Sequence, residues 1–329
     1  MQIFKNPDFN FVRWRWHAIA LSWVVILAGV ITVAVRGLPL GLEFSGGTAV
    51  VVQFDQFPSE QQVRSALDRT VAGGGQNAVV QRYGSADQRQ MMIRVPHVGA
   101  ESGTSLSQTA EAVERGLREA NLGNFSVVGT EVVGPIVGRE LTQKGLLATA
   151  FALAGILTYV AFRFQLSFAV GAVVATIHDL LVTMAFLAFF RYDLSLNVIA
   201  AILTITGYSV NDTIVIFDRV RERLRDMRRD TLDRVVNVAV NQTLGRTVLT
   251  AGTALMSVLA LYVFGGEVLR GFAFTMLVGV ITGTYSSVYI AAAIVTLWPR
   301  RGPARAPVAP PVPQPSARSR SKARNARAS

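Results

Sequence analysis

The sequence predicts an α-helical polytopic membrane protein, with six transmembrane helices and one α+β ferredoxin-like (βαββαβ) extracytoplasmic domain between helices 1 and 2. Three observations predict it. Six runs are about as long and apolar as the roughly 20 residues that carry a helix across a bilayer. Between the first two runs the pattern changes to short β-branched strands and capped helices. Arginine collects on alternate connecting segments, as it does on the cytoplasmic side of membrane proteins.

Composition agrees with this class. The 329-residue chain is 51% hydrophobic and 16% charged, where soluble domains average about 25% charged. It has no cysteine, which excludes disulfides, thiolate metal sites and cysteine nucleophiles. A net charge of +11 suits a nucleic-acid ligand on its face. Basic segments held at the cytoplasmic surface account for it without one, so no nucleic acid is expected.

The first run, 18–35, follows a cytoplasmic N-terminus, 1–17, that carries Lys5, Arg13 and Arg15. It is too long for the apolar core of a cleaved signal peptide and reads as a retained anchor. The other runs are 146–162, 168–190, 194–217, 247–264 and 272–298, all within the helical part 145–298. Arg163, the basic segment 219–246 and the tail 299–329 fall on the same side as the N-terminus. The short loops opposite offer only Arg191 and Arg270. Both termini are therefore expected in the cytoplasm and the segment 36–144 outside.

Within 36–144 the elements read in order. Residues 48–54 form a strand. Ser59-Glu60-Gln61-Gln62 is a capping box opening a helix with Val63, Ala66, Leu67 and Val71 on one face and Gly73-Gly74-Gly75 at its end. Residues 78–83 and 91–95 are two strands joined by a polar turn at 84–88. Ser105 to Gln108 is a second capping box, opening a helix with Ala110, Val113, Leu117 and Ala120, and Gly123 is its C′ residue. Residues 126–133 are the last strand. The order is the split βαβ pattern. His97 stands alone beside Pro96, and the glycine run follows a helix where a phosphate loop would precede one. No cofactor, metal or catalytic constellation is expected, and the chain reads as a protein other than an enzyme.

Ionisable residues inside spans are functional candidates by default, because each costs about 2.5–3.5 kcal/mol at a helix centre on insertion scales. His178 and Asp179 sit near the middle of the third span. Asp212 lies in the fourth, roughly 10 Å inside Arg219 at 1.5 Å per residue, and Asp218 ends that span. Arg246 opens the fifth at a similar depth, so an Asp212–Arg246 pair across neighbouring helices is feasible. A static packing pair is the alternative reading. Gly207 is placed to loosen the fourth helix just before Asp212. Gly279, Gly283 and Ser287 form a small-residue packing stripe on the sixth span. Leu232, Val235, Val236 and Ala239 share a helical face and predict an interfacial helix lying on the inner leaflet. The tail from Gly302, rich in proline and arginine, is expected to be disordered.

Several stretches resemble one family. They are Gly41-Leu42-Glu43-Phe44-Ser45-Gly46-Gly47-Thr48, Val133-Gly134-Pro135-Ile136-Val137-Gly138-Arg139-Glu140-Leu141, Ile177-His178-Asp179, the long run from Ile205 through Asn211-Asp212-Thr213 to Glu222, Asn241-Gln242-Thr243-Leu244-Gly245-Arg246-Thr247, and Phe264-Gly265-Gly266. The chain resembles the SecD/SecF family of the resistance-nodulation-division superfamily, on the SecF side, since SecD chains carry a larger exported region. The resemblance covers nearly everything up to Trp298. It implies a component that works with a SecD-like subunit and the SecYEG channel in the bacterial inner membrane, among membrane lipids. There it would use the proton-motive force to complete export of an unfolded preprotein. It also implies that Asp212 and Arg246 belong to a proton relay, with His178 and Asp179 as further members. Two other readings stay open: half of another exporter of that superfamily for lipids or small molecules, and a non-transporting membrane scaffold.

Overall fold

The structure, a computed structural model, describes residues 7–71, 75, 78–84, 86–96, 103–163 and 166–297. His97, Gly73, Gly74 and the tail after Gly302 lie outside the described residues. Among these residues, six helices are long and apolar enough to span a membrane. They are α1 (Arg15–Arg36), α5 (Pro135–Arg163), α6 (Leu166–Phe190), α7 (Leu196–Asp226), α8 (Leu232–Phe264) and a sixth built from α9 (Gly266–Ser286), a π-helical turn (Ser287–Ala291) and α10 (Ala292–Leu297).

Between α1 and α5 come α2 (Leu42–Ser45), β1 (Gly47–Phe54), α3 (Glu60–Leu67), β2 (Val79–Tyr83), β3 (Gln90–Val95), α4 (Gly103–Glu119) and β4 (Phe125–Val133). The strands form one sheet in the order β2-β3-β1-β4, with every neighbouring pair antiparallel. That is the ferredoxin-like arrangement. The period-2 alternation of each strand decides what covers it. Val50, Val52 and Phe54 of β1 and Met91, Ile93 and Val95 of β3 face α3 and α4, where they meet Val63, Leu67, Val113 and Leu117 in an apolar core. The opposite face, with Ala49, Gln81, Tyr83, Met92, Arg94 and Glu131, looks onto the ends of the long helices across a cavity of about 450 Å³.

The capping box at Ser59 forms as read. Gln62 N–H donates to Ser59 Oγ at 3.2 Å, and Ser59 N–H donates to Gln62 Oε1 at 2.9 Å. Four local readings need correction. The first helix ends at Leu67, well before the glycine run. There Gly75 N–H donates to Asp68 Oδ1 at 2.8 Å, and a Cβ on Gly75 would sit 1.7 Å from the Arg64 carbonyl oxygen. The second helix starts at Gly103, ahead of Ser105, so Ser105 is an interior residue and no N-cap. Its left-handed C-terminal residue is Asn121 (φ 52), with Gly123 (φ 91) two positions later in the link to β4. Lastly, residues 232–240 do not form a separate interfacial helix. They are the first turns of α8, which runs unbroken to Phe264, and Val235, Val236 and Ala239 are buried against the bundle. No glycine or proline interrupts 232–244, so the helix has no reason to turn onto a membrane surface.

The small-residue stripe lets α9 lie directly on α7. A Cβ on Gly279 would fall 2.1 Å from Ile205 Cδ1, and one on Gly283 would fall 3.0 Å from Ser209 Cβ. Gly207 faces open space and does not break α7, which is continuous from Leu196 to Asp226.

Candidate functional site

The close approach of α7 and α9 brings polar residues of four helices together inside the bundle. Asp179 on α6 is 3% exposed. Its Oδ2 accepts from Ser209 Oγ of α7 at 2.5 Å and from Ser286 Oγ of α9 at 2.8 Å. Its Oδ1 lies 3.0 Å from His178 Nδ1. The other ring nitrogen of His178 is 2.8 Å from Ser22 Oγ of α1. Ser22 in turn is 3.3 Å from the hydroxyl of Tyr285, which donates to the Ala18 carbonyl at 2.7 Å.

Each hydroxyl along this chain has one hydrogen to give. The Tyr285 hydrogen is taken by Ala18. With a neutral His178 that donates from Nδ1 to Asp179, Ser22 gives its hydrogen to Nε2, and the Ser22–Tyr285 contact has none.

Three residues along α7 from Ser209, and so on nearly the same helical face, is Asp212. It is 4% exposed. Its Oδ1 accepts from Thr247 Oγ1 of α8 at 3.3 Å, and its Oδ2 is buried without a hydrogen-bond partner among the described residues. A buried carboxylate oxygen left unpaired is costly, and such groups call for a functional account.

Arg246 lies near enough to Asp212 for their charges to interact, but no ion pair closes between them. Arg246 is exposed on the flank of the bundle. There it lines an open cavity of about 400 Å³ with Arg163, Asp218, Arg219, Glu222 and Gln242. The feasible pair inferred from depth is therefore absent from this conformation, for a geometric reason. Successive helical residues are turned about 100° apart, and the residue of α8 aimed at Asp212 is Thr247. Asp218 is likewise exposed.

The sequence reading missed Ser22, Ser209, Ser286, Tyr285 and Thr247. Ser209 and Thr247 lie inside stretches already singled out, so hydroxyls near the buried carboxylates were the available signal. Ser22 carried none, being a single polar residue in an otherwise apolar run, and Tyr285 is one of several neighbouring hydroxyl residues that nothing local sets apart. Among the described residues no cluster of three or more histidine, cysteine or acidic side chains could hold a metal ion.

Six apolar spans with an inserted ferredoxin-like domain and buried carboxylates among the helices define a multi-pass membrane protein. Comparison with known proteins narrows this. The family model "Protein export membrane protein SecD/SecF, C-terminal" matches residues 112–301, and "SecD/SecF GG Motif" matches residues 31–56. Curated proteins named protein translocase subunit SecF are similar across nearly their whole length. The one from Desulfurispirillum indicum is 38% identical over 88% of this chain and 92% of its own. That from Vibrio alginolyticus is 40% identical over 89% and 91%. The Escherichia coli O157:H7 protein is 38% identical over 87% and 86%.

The crystal structure of SecDF, a translocon-associated membrane protein from Thermus thermophilus, superposes with a TM-score of 0.78 at 33% identity. It aligns with 89% of this chain, which spans 39% of the SecDF chain. The chain belongs to the SecD/SecF family, on its SecF branch, and is a SecF-type subunit of the Sec protein-export machinery and not an enzyme.

Proposed function

We propose that the chain couples ion movement through its spans to late steps of preprotein export, with Asp212 as the group that gains and loses the ion. The observation that carries this is the buried Asp212 carboxylate, with one oxygen held by Thr247 and the other unpaired in an apolar bundle. Such a carboxylate has two ways to lower its cost: take a proton, or draw in a cation. Arg246 precedes Thr247 on α8, so its long side chain can swing from the flank toward Asp212 when the bundle repacks. Alternation between a protonated Asp212 and an Asp212–Arg246 pair gives two packings. The membrane field supplies about 2.3 kcal/mol per charge per 100 mV to drive between them. His178 and Asp179 act as a second proton-holding pair, fixed to Asp212 through Ser209.

Arginine on the ends of α7 and α8 and the N-terminus orients both termini to the cytoplasm of a bacterial inner membrane, with the sheet domain outside. The SecDF structures, in which this unit is about two fifths of the chain, support a SecD-like subunit as the partner. Arg246 and its open cavity on the bundle flank suit burial by that partner. The SecYEG channel and an unfolded preprotein follow as the further contacts. The test is export into energised vesicles containing the partner. Asp212→Asn should keep the complex intact and remove the stimulation by the proton-motive force. A variant that exports at the wild-type rate and still responds to collapse of the gradient would sink the assignment.

A further inference from the structure

Two of the motifs, Gly41-Leu42-Glu43-Phe44-Ser45-Gly46-Gly47-Thr48 and the run around Gly138, contribute nothing to the buried polar network. They meet at another place. The turn between α6 and α7, residues 191–195, joins the helix of Asp179 to the helix of Ser209 and Asp212. Leu194 N–H donates to the Pro39 carbonyl at 2.8 Å, and Gly41 N–H donates to the Leu194 carbonyl at 2.8 Å, so Leu40 and Leu194 pair like neighbouring parallel strands. Glu43 Oε1 accepts from Leu196 N–H, the first residue of α7, at 3.4 Å. Unpaired N–H groups and the positive end of the helix dipole favour a carboxylate there.

From the sheet, the buried Arg94 of β3 donates to the Leu40 carbonyl at 3.0 Å and forms an ion pair with Asp193 in the same turn. Gly41 cannot carry a side chain, because a Cβ would stand 2.9 Å from the Leu194 carbonyl oxygen. Gly47 (φ 123) lets β1 begin against the Val95 carbonyl, 2.3 Å from where its Cβ would be. On the far side α2 lies against α5, with Gly138 leaving 3.3 Å between its Cβ position and the Glu43 carbonyl oxygen. One short segment thus grips the sheet, the α6–α7 turn and the second covalent tether together.

We propose that residues 41–47, with Glu43 and Arg94 as positioning residues, form a rigid joint that makes the sheet domain and the α6–α7 turn move as one body. Motion of the helices that carry Asp179 and Asp212 then reaches the exported domain through this joint, and not only through α1 and α5. The inference rests on the ion-coupling reading for its output, but the joint itself is a matter of geometry and can be read without export.

The absence of native cysteine makes the test clean, with the full chain and its partner in vesicles. Leu40→Cys and Leu194→Cys are introduced together and oxidised. A one-body joint predicts wild-type export and gradient response in both oxidised and reduced protein. Loss of export on oxidation, restored by reduction, would show that the joint must open and would overturn the proposal. In the converse arm, Arg94→Ala should lower gradient-driven export at least five-fold, and the exchanged pair Arg94→Asp with Asp193→Arg should recover most of it.

Spin labels at Val128→Cys and Asn197→Cys report the joint directly. The distance distribution should be narrow in the wild-type background and broad with Arg94→Ala. An unchanged narrow distribution would overturn the joint whatever export does. A broadened distribution in a background where Asp212→Asn has no effect would uphold the joint and count against ion coupling alone. Should Arg94→Ala fail to accumulate, Glu43→Gln serves for the same two readouts.

Discussion

Ser209 donates a hydrogen bond of 2.5 Å to Asp179, and three residues further along the same helix stands Asp212. The two buried carboxylates of the bundle are thereby connected through a single turn of α7. A change at one carboxylate has a short mechanical route to the other, because Ser209 also packs against Gly283 of α9 and cannot shift without moving that contact.

The first prediction concerns this connection. Ser209→Ala and Ser286→Ala each remove one donor to a charged acceptor. Hydrogen bonds to charged groups are worth about 1.5–3 kcal/mol in soluble proteins, and interhelical ones in membranes average nearer 0.6 kcal/mol. Each single change should lower the thermal unfolding midpoint in detergent measurably. The double change should cost more than the sum, since it leaves Oδ2 of Asp179 with no donor. Strict additivity would show that the two serines act independently.

The second prediction tests the helix contact beneath the network. Gly279→Ala puts a methyl 2.1 Å from Ile205 Cδ1, a clash that the Ile205 side chain or the helix spacing must relieve. Overpacking of this kind costs about 1–3 kcal/mol. Ile205→Ala alone opens a cavity, but combined with Gly279→Ala it should recover part of the loss. Thermal unfolding of the four proteins decides it, and a Gly279→Ala protein as stable as the parent would refute close α7–α9 packing.

How much of this was legible beforehand depends on the kind of information involved. Strand positions followed from β-branched alternation and are right to within a residue, as Val79–Tyr83 and Gln90–Val95 show. The Ser59 capping box was legible because its partners are three residues apart. Depth along a helix was legible too, which is why Asp212 and Arg246 read as neighbours. The direction in which a side chain points was not. Thr247 and Arg246 share a depth but face different ways, and only the packing of α8 on α7 chooses between them. The link from Ser22 to His178 joins residues 156 apart in sequence, and nothing local in either run signals it. The same holds for Arg94 and Asp193. They meet only because the sheet's open face is laid over the α6–α7 turn.

The third prediction is topological. A cysteine-free chain accepts single probes without background. Val128→Cys, on the exposed side of β4, should react with a membrane-impermeant thiol reagent applied to intact spheroplasts. Met227→Cys, just past the end of α7, should react only after lysis. Labelling of Met227→Cys in intact spheroplasts would reverse the orientation drawn from the arginines.

The fourth prediction separates a relay from a packing pair. Were Asp212 and Arg246 a static buried ion pair, removing either partner would strand a charge and cost about 3–5 kcal/mol, and replacing both with apolar residues would restore stability. The geometry points the other way. Arg246 is exposed and makes no ion pair with Asp212, so Arg246→Met should leave thermal unfolding within about 0.5 kcal/mol of wild type, as surface changes do. Asp212→Asn should be neutral or mildly stabilising, because it removes a buried charge while keeping an acceptor for Thr247. Both variants should nevertheless lose gradient-stimulated export in vesicles with the partner subunit, since the pairing that Arg246 offers is needed in the other packing of the bundle. Stability and export therefore dissociate for a relay and move together for a packing pair. An Arg246→Met protein that melts several degrees lower, and is rescued in both readouts by adding Asp212→Leu, would establish the pair as a structural device and remove it from the ion pathway.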